Sequence, residues 1–390
     1  MKTRKFLLTC ALTALLASCA SDDTATVIIE NGGGENPTGS TDLEIGGELT
    51  EDLTLESGVE YTLTSALIVP DGVTLTINPG VVVNALTGSD VYIAVVQGGT
   101  ILAVGTSTNP IVLTSASSTP NAGDWGGLII LGNAPINSVS GGDATSTSEI
   151  GGLPYGGSVV DDNSGIIRYV RVEFSGGAAN ASSENNGFSF YGVGNGTTVE
   201  FIQAFEGKDD GVEFFGGTVN ASYVSVVGAQ DDSVDWTEGF SGELTNVYIE
   251  HRQSHDKGIE ADGFNTDIGN NSDPIFWSAP TVTNVTINGN GSTNENEAVR
   301  LRAGTRGVFE NVLIAGFEEA YDLDGDDANS PTGQGVLDGD TSVTNITFED
   351  VTLNLKNDTG VMFGEDDFFT GIGSGTGADY DSWNSGWTRN

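Results

Sequence analysis

The chain has 390 residues, with 55 Asp and Glu against 13 Lys and Arg and a formal net charge of −42. That balance excludes a nucleic-acid-binding surface, which needs clustered cations, and argues against electrostatic docking on anionic lipid. Hydrophobic residues make up 37%, enough to fold, and 56 glycines, about twice the usual share, imply many tight corners.

From the N-terminus, the first signal is a leader. Lys2, Arg4 and Lys5 precede an apolar run from Phe6 to Leu16, too short to span a bilayer and suited to a signal peptide. Leu16-Ala17-Ser18-Cys19 resembles the lipobox of bacterial lipoproteins. The resemblance implies cleavage before Cys19 and lipidation of its thiol; an ordinary secretory signal with an incidental cysteine is the alternative. Loss of the leader cations would take the net charge to about −45. Ala20-Ser21-Asp22-Asp23 resembles the acidic export signal that sends Bacteroidota lipoproteins to the cell surface, so the expected location is the outer membrane, lipid-anchored and surface-exposed. Residues 19–42 are polar and Gly-rich and read as a flexible tether with a reach of roughly 26 Å. Cys10 and Cys19 are the only cysteines, so the body has no disulfide and no thiolate chemistry.

After residue 42 no amphipathic helix is evident. Short β-branched runs recur instead, such as Val73 to Ile77 and Ile111 to Thr114, and their alternation at period two predicts strands. A six-residue pattern then repeats: Asp209 to Phe214, Asp231 to Trp236, Asp256 to Ala261, Asn296 to Leu301 and Glu318 to Leu323, with a weaker copy at Asn185 to Phe190. Measured at the second position, the steps are 24, 22, 25, 40 and 22 residues. A second apolar motif trails nearly every copy, as in Leu244-Thr245-Asn246-Val247-Tyr248-Ile249 and Val282-Thr283-Asn284-Val285-Thr286-Ile287. A period of 22 to 25 without helices predicts an all-β, right-handed parallel β-helix of about ten to twelve coils, a rod about 50 Å long. Val212, Val234, Ile259, Val299 and Tyr321 should stack in one core file. Residues 1–18 are then signal, 19–42 tether, 43–360 β-helix, and 361–390, with Trp383 and Trp387, a cap over the last coil. Two segments break the period, 133–165 and roughly 262–279, and are expected as loops on the coil flank, where binding residues concentrate.

The segments DGVTLTINPG (71–80), DWGGLIILGNAPI (124–136), DDNSGIIRYV (161–170) and DGVEFFGG (210–217) resemble the parallel β-helix surface lipoproteins common in Bacteroidota. The resemblance covers roughly residues 55 to 325. It implies a fold and a location and carries no enzymatic activity with it.

Stacked coils would align two charged columns: Asp210, Asp232, Lys257, Glu297, Glu319, and Glu213, Asp235, Glu260, Arg300, Asp322. Carboxylates ~4.8 Å apart repel by about 0.9 kcal/mol in water and about 3.5 kcal/mol at an effective dielectric of 20. Solvation, interleaved cations or bound Ca²⁺ would relieve this. Lys257 and Arg300 interleave in the later coils; Asp209, Asp210, Glu213, Asp231, Asp232 and Asp235 have no cation among them and are the candidate Ca²⁺ ligands. The competing expectation is solvated corner residues whose side chains cap turn amides. Asp322, Asp324 and Asp326 form a D-x-D-x-D run that is no EF-hand, since Asp327 stands where glycine is needed, but suits a looser Ca²⁺ loop. His251 and His255 flank a corner, with no HExxH motif to make them a metal pair.

Lys257, Arg300 and Arg302 are weak candidates for the base of a uronate lyase, and a glycoside hydrolase would need only two carboxylates. Phe264, Phe276 and Trp277 in the second insertion suit stacking on sugar rings or a protein partner, or packing onto the coil flank. The expectation is therefore a surface-exposed binding or structural module, calcium-stabilised, anchored through Cys19 and able to capture a glycan or an outer-membrane protein. A polysaccharide-acting enzyme and an adhesin or matrix scaffold are the alternatives.

Overall fold

The structure, a computed structural model, describes residues 42–139, 145–180, 183–266, 274–294, 297–325 and 332–390. Cys19, the leader and the tether up to residue 41 lie outside the described residues, as does Asp326. No helix among the described residues is long and apolar enough to cross a membrane.

The chain winds as a right-handed parallel β-helix, and nearly all its strands join one parallel sheet of 22 strands. Each coil lays a short strand on each of three faces. The third face stacks 47–48, 67–69, Gly88–Val95, Trp125–Leu131, Phe188–Tyr191, Val212–Phe215, Val234–Thr237, Ile259–Asp262, Glu297–Arg302, 317–324 and 351–358, eleven rungs. The predicted core file is real: Val212 pairs with Val234, Val234 with Ile259, Ile259 with Val299 and Val299 with Tyr321. All five are at most 1% exposed. Because parallel pairing places equivalent residues directly above one another, one apolar residue every coil fills the interior.

Between the first and second faces one residue per coil turns through the left-handed region. Tyr169, Phe201, Tyr223, Asn246, Asn284, Asn311 and Asn345 all have φ between 51° and 59°. Such a conformation costs of order 1–3 kcal/mol for a non-glycine residue and asparagine tolerates it best. Stacking offsets that strain. Asn284 donates to Asn246 at 3.0 Å and Asn311 to Asn284 at 2.8 Å. Below them the rings of Tyr169, Phe201 and Tyr223 lie face to face, 4.3 and 4.1 Å apart.

Residues 361–390 were expected to close the last coil, and only their beginning does so. Phe368 and Phe369 pack edge-on against Tyr321, at 5.3 and 5.6 Å. From Gly371 the chain turns back along the flank as a strap over the left-handed corner. Thr376 N donates to Asn311 at 2.7 Å, Tyr380 stacks on Tyr248 at 3.7 Å, Trp383 meets Tyr223, and Trp387 sets its edge on Tyr169 and Phe201. Arg389 ends the strap on Glu173 and Gln203.

The first insertion lies on the coil flank, where the break in the period placed it. It covers the outside of the third face, where Tyr92, Ile129, Leu131, Tyr191 and Phe215 form a second apolar core with Ile136, Ile150 and Tyr155. Outward-facing residues of these rungs are apolar because they are roofed, not solvated.

Candidate functional site

Beyond that roof the outward column of the third face becomes charged. In register it reads Ser189, Glu213, Asp235, Glu260, Arg300, Asp322, Lys356. The corner column beside it holds Asp210, Asp232 and Lys257, all buried. Asp210 Oδ1 accepts the Asp232 amide at 2.9 Å, and Asp232 Oδ1 accepts the Lys257 amide at 2.7 Å. These two carboxylates therefore cap the amide of the next coil, as the capping expectation held for corner acids.

The same side chains also converge. Asp210, Glu213 and Asp235 place carboxylate oxygens within 4.8 Å of one another, and so do Asp232, Asp235 and Glu260. Glu184, Asp209 and Asp231 form a neighbouring group. Burial, then Glu184 and Asp231, push Asp209 up to about 8. Burial first and neighbouring carboxylates second hold Asp210, Glu213, Asp232 and Asp235 well above the usual carboxylate range. Asp235 belongs to two of the convergent groups, and its carboxylate makes no hydrogen bond or ion pair among the described residues. In the coil below, Asn186 donates to Glu213 at 2.6 Å while its Oδ1 is buried without a hydrogen-bond partner among the described residues. An all-oxygen donor set with an unpartnered centre fits a hard cation such as Ca²⁺.

One coil further on, cations take over. Lys257 Nζ lies 2.5 Å from Asp256, 3.1 Å from Glu260 and 4.0 Å from Asp232. Arg302 bonds Glu260 and, at 2.5 Å, Asp262. Arg300 meets Asp324 at 2.6 Å and Glu297 at 3.7 Å. Burial works against charge on Lys257, Arg302 and Arg300, but the carboxylates outweigh it and all three pKa values rise. A group so held is a counterion, a poor proton acceptor near neutral pH. Asp322 and Asp324, expected in a loop, stand instead in the strand Gly307–Asp324. Asp322 is neutralised by Lys356 at 2.9 Å and Asp324 by Arg300. His251 and His255 stack on each other at 4.7 Å, and neither joins a carboxylate group among the described residues.

The second insertion meets the first. Asn137 donates to the carbonyls of Gly263, at 2.8 Å, and Phe276, at 2.7 Å. Of the three aromatics singled out from sequence, Phe264 is buried, while Phe276 and Trp277 are half-buried beside an open cleft of about 630 Å³. Arg306 lies over the Trp277 ring, 5.6 Å from its centroid. Arg306 thus stands apart from Lys257, Arg300 and Arg302, in the corner that follows the strand Glu297–Arg302, one coil above the insertion.

No curated protein matches the chain. The family model described as pectate-lyase like beta helix domain matches residues 47–388, almost the whole described body. The chain belongs to the pectate-lyase-like beta-helix domain family.

Proposed function

We propose that the chain is a lipid-anchored, surface-displayed β-helix that captures a glycan or a partner protein and carries Ca²⁺ on the acidic stretch of its third face. The observation that supports the metal is the unpartnered Asp235 between two groups of converging carboxylates. Asp210, Glu213 and Asp235, with Asp232 and Glu260 alongside, would hold the ion. When bound, Ca²⁺ supplies positive charge that keeps these buried carboxylates ionised. The residues around them fix the arrangement: Asp210 and Asp232 are held by backbone amides, and Glu260 is held by Lys257 and Arg302. Melting with Ca²⁺ and with a chelator tests this. Ligand at about 100 Kd stabilises by about 2.7 kcal/mol, so chelation should lower Tm, and an unchanged Tm removes the metal. Anchoring rests on Cys19 and the lipobox; Cys19→Ser should move the protein out of the membrane fraction, and unaltered fractionation would reject it.

A polysaccharide-acting enzyme is the second reading. Family membership favours it, and so does Asp209, a carboxyl raised to about 8 among other acids, since general acid catalysis on glycosides uses such a group. The settings of Lys257 and Arg302 speak against the lyase variant. Incubation with acidic and neutral polysaccharides, followed by assay of new reducing ends and unsaturated uronates, separates the two: product formation supports the enzyme and its absence supports capture.

A further inference from the structure

The cleft under the second insertion is built from three successive corners between the third and first faces. The insertion supplies Ile275, Phe276 and Trp277, the next corner supplies Arg306, and the turn after the short helix Thr332–Asp338 supplies Asp338 and Asp340. We propose that this cleft is a subsite for a neutral glycan, a ligand rich in hydroxyl groups and free of charge. The inference rests on the capture reading and names its ligand class.

The polar groups of the cleft are of both kinds. Arg306 Nη1 donates to the carbonyls of Gly304 at 2.6 Å and Thr305 at 3.3 Å, while Nε and Nη2 make no hydrogen bond among the described residues. No carboxylate lies within salt-bridge distance of Arg306 among the described residues, whereas Lys257, Arg300, Arg302 and Lys356 each hold at least two. Burial pulls the Arg306 guanidinium below its usual value, with Asp340 and Asp338 opposing. Asp338 and Asp340 are exposed acceptors. A hydroxyl needs both a donor and an acceptor nearby, and this cleft offers both.

Its apolar wall is fixed. The Phe276 carbonyl is clamped by Asn137, and its ring packs so closely on Gly239 that a side chain there would collide with it. Ile275, 74% exposed, adds an aliphatic side chain to the lining of the cleft. Aromatic rings accept the C–H face of a pyranose, and a cleft of about 630 Å³ lies within the ordinary range of ligand sites, roughly 300–1,000 Å³.

Charge selects among glycans. Two aspartates outweigh one arginine in the cleft, on a chain of net charge −42. A polyuronate would gain one guanidinium contact and meet repulsion from both aspartates and from the body; a neutral chain meets none.

The test uses the full-length protein with Ca²⁺, titrated calorimetrically with cellohexaose, mannohexaose and xylohexaose, and with hexagalacturonate as the charged counterpart. At least one neutral hexasaccharide should bind. Trp277→Ala and Asp340→Asn should each weaken it ten-fold or more; the exposed Asp340 substitution guards against misfolding at Trp277. Binding of none of the neutral probes, tighter binding of hexagalacturonate, or binding indifferent to both substitutions would overturn the inference. A hexagalacturonate-only result leaves capture standing and removes the neutral subsite. Glycan binding together with an unchanged chelator melt removes the metal and leaves the subsite.

Discussion

Two adjoining stretches of one outward column handle stacked charge differently. From Glu260 to Lys356 acids and cations interleave, with Arg300, Arg302 and Lys356 each reaching at least one carboxylate of an adjacent coil. Around Glu213 and Asp235 the register is the same, yet among the described residues no basic side chain enters the column. The backbone repeat is common to both, so it cannot explain the difference. A strand ladder fixes where side chains stand, and the choice of side chain decides whether the column is self-neutralised or calls for an external cation. The first is a structural device; the second suits a ligand site.

The core file passes beneath both stretches without a break, which gives the largest expected effect and a control. Ile259→Ala should cost about 2–5 kcal/mol in denaturant unfolding, with or without Ca²⁺. A loss below ~1 kcal/mol would mean that the file is not packed as one column.

Removing a cation should make the paired stretch resemble the unpaired one. Arg302→Gln leaves Glu260 and Asp262, both under 10% exposed, without their guanidinium, and should cost about 1–3 kcal/mol. Its stability should also become more dependent on Ca²⁺ than that of the wild type. A neutral substitution at Arg302 would erase the distinction between the stretches.

The smallest effect is a pH trend in the chelated protein. Asp209, Asp210, Glu213, Asp232 and Asp235 have folded pKa values raised above their unfolded values, so they bind protons more tightly when folded. Their contribution is complete below the unfolded value near ~3.9 and is lost as pH rises through the folded values, about 8 for Asp209. Tm in chelator should therefore fall between roughly pH 5 and pH 8, and with Ca²⁺ the trend should flatten or reverse. A Tm that rises with pH in chelator would contradict the account.

The β-helix and its core file were legible in sequence because the 22 to 25 residue period sets the parallel register directly, and Val212 to Tyr321 keep it across the 40-residue step. The acidic columns followed from the same spacing. The second apolar core was not read, although its signal was present: Leu128 to Leu131, Phe190-Tyr191 and Phe214-Phe215 are consecutive apolar residues in strands, the mark of burial on both faces. The strap was out of reach. Trp387 finds its partners Tyr169 and Phe201 far back in the chain, across a surface that no local pattern encodes. The asparagine corner lay within the second motif, at Asn246, Asn284, Asn311 and Asn345, but a left-handed turn inside a continuous run of strand residues leaves the alternation almost unbroken.

The central claim is that the cation is held around Asp235, where carboxylates converge without a basic side chain at their centre, and not at every acidic cluster. Calorimetric titration with Ca²⁺ of the wild type, Asp235→Asn and Asp322→Asn tests it most directly. The account predicts binding by the wild type, at least ten-fold weaker binding by Asp235→Asn, and wild-type affinity in Asp322→Asn. No binding by the wild type, or an Asp235→Asn titration that overlays it, would contradict the account.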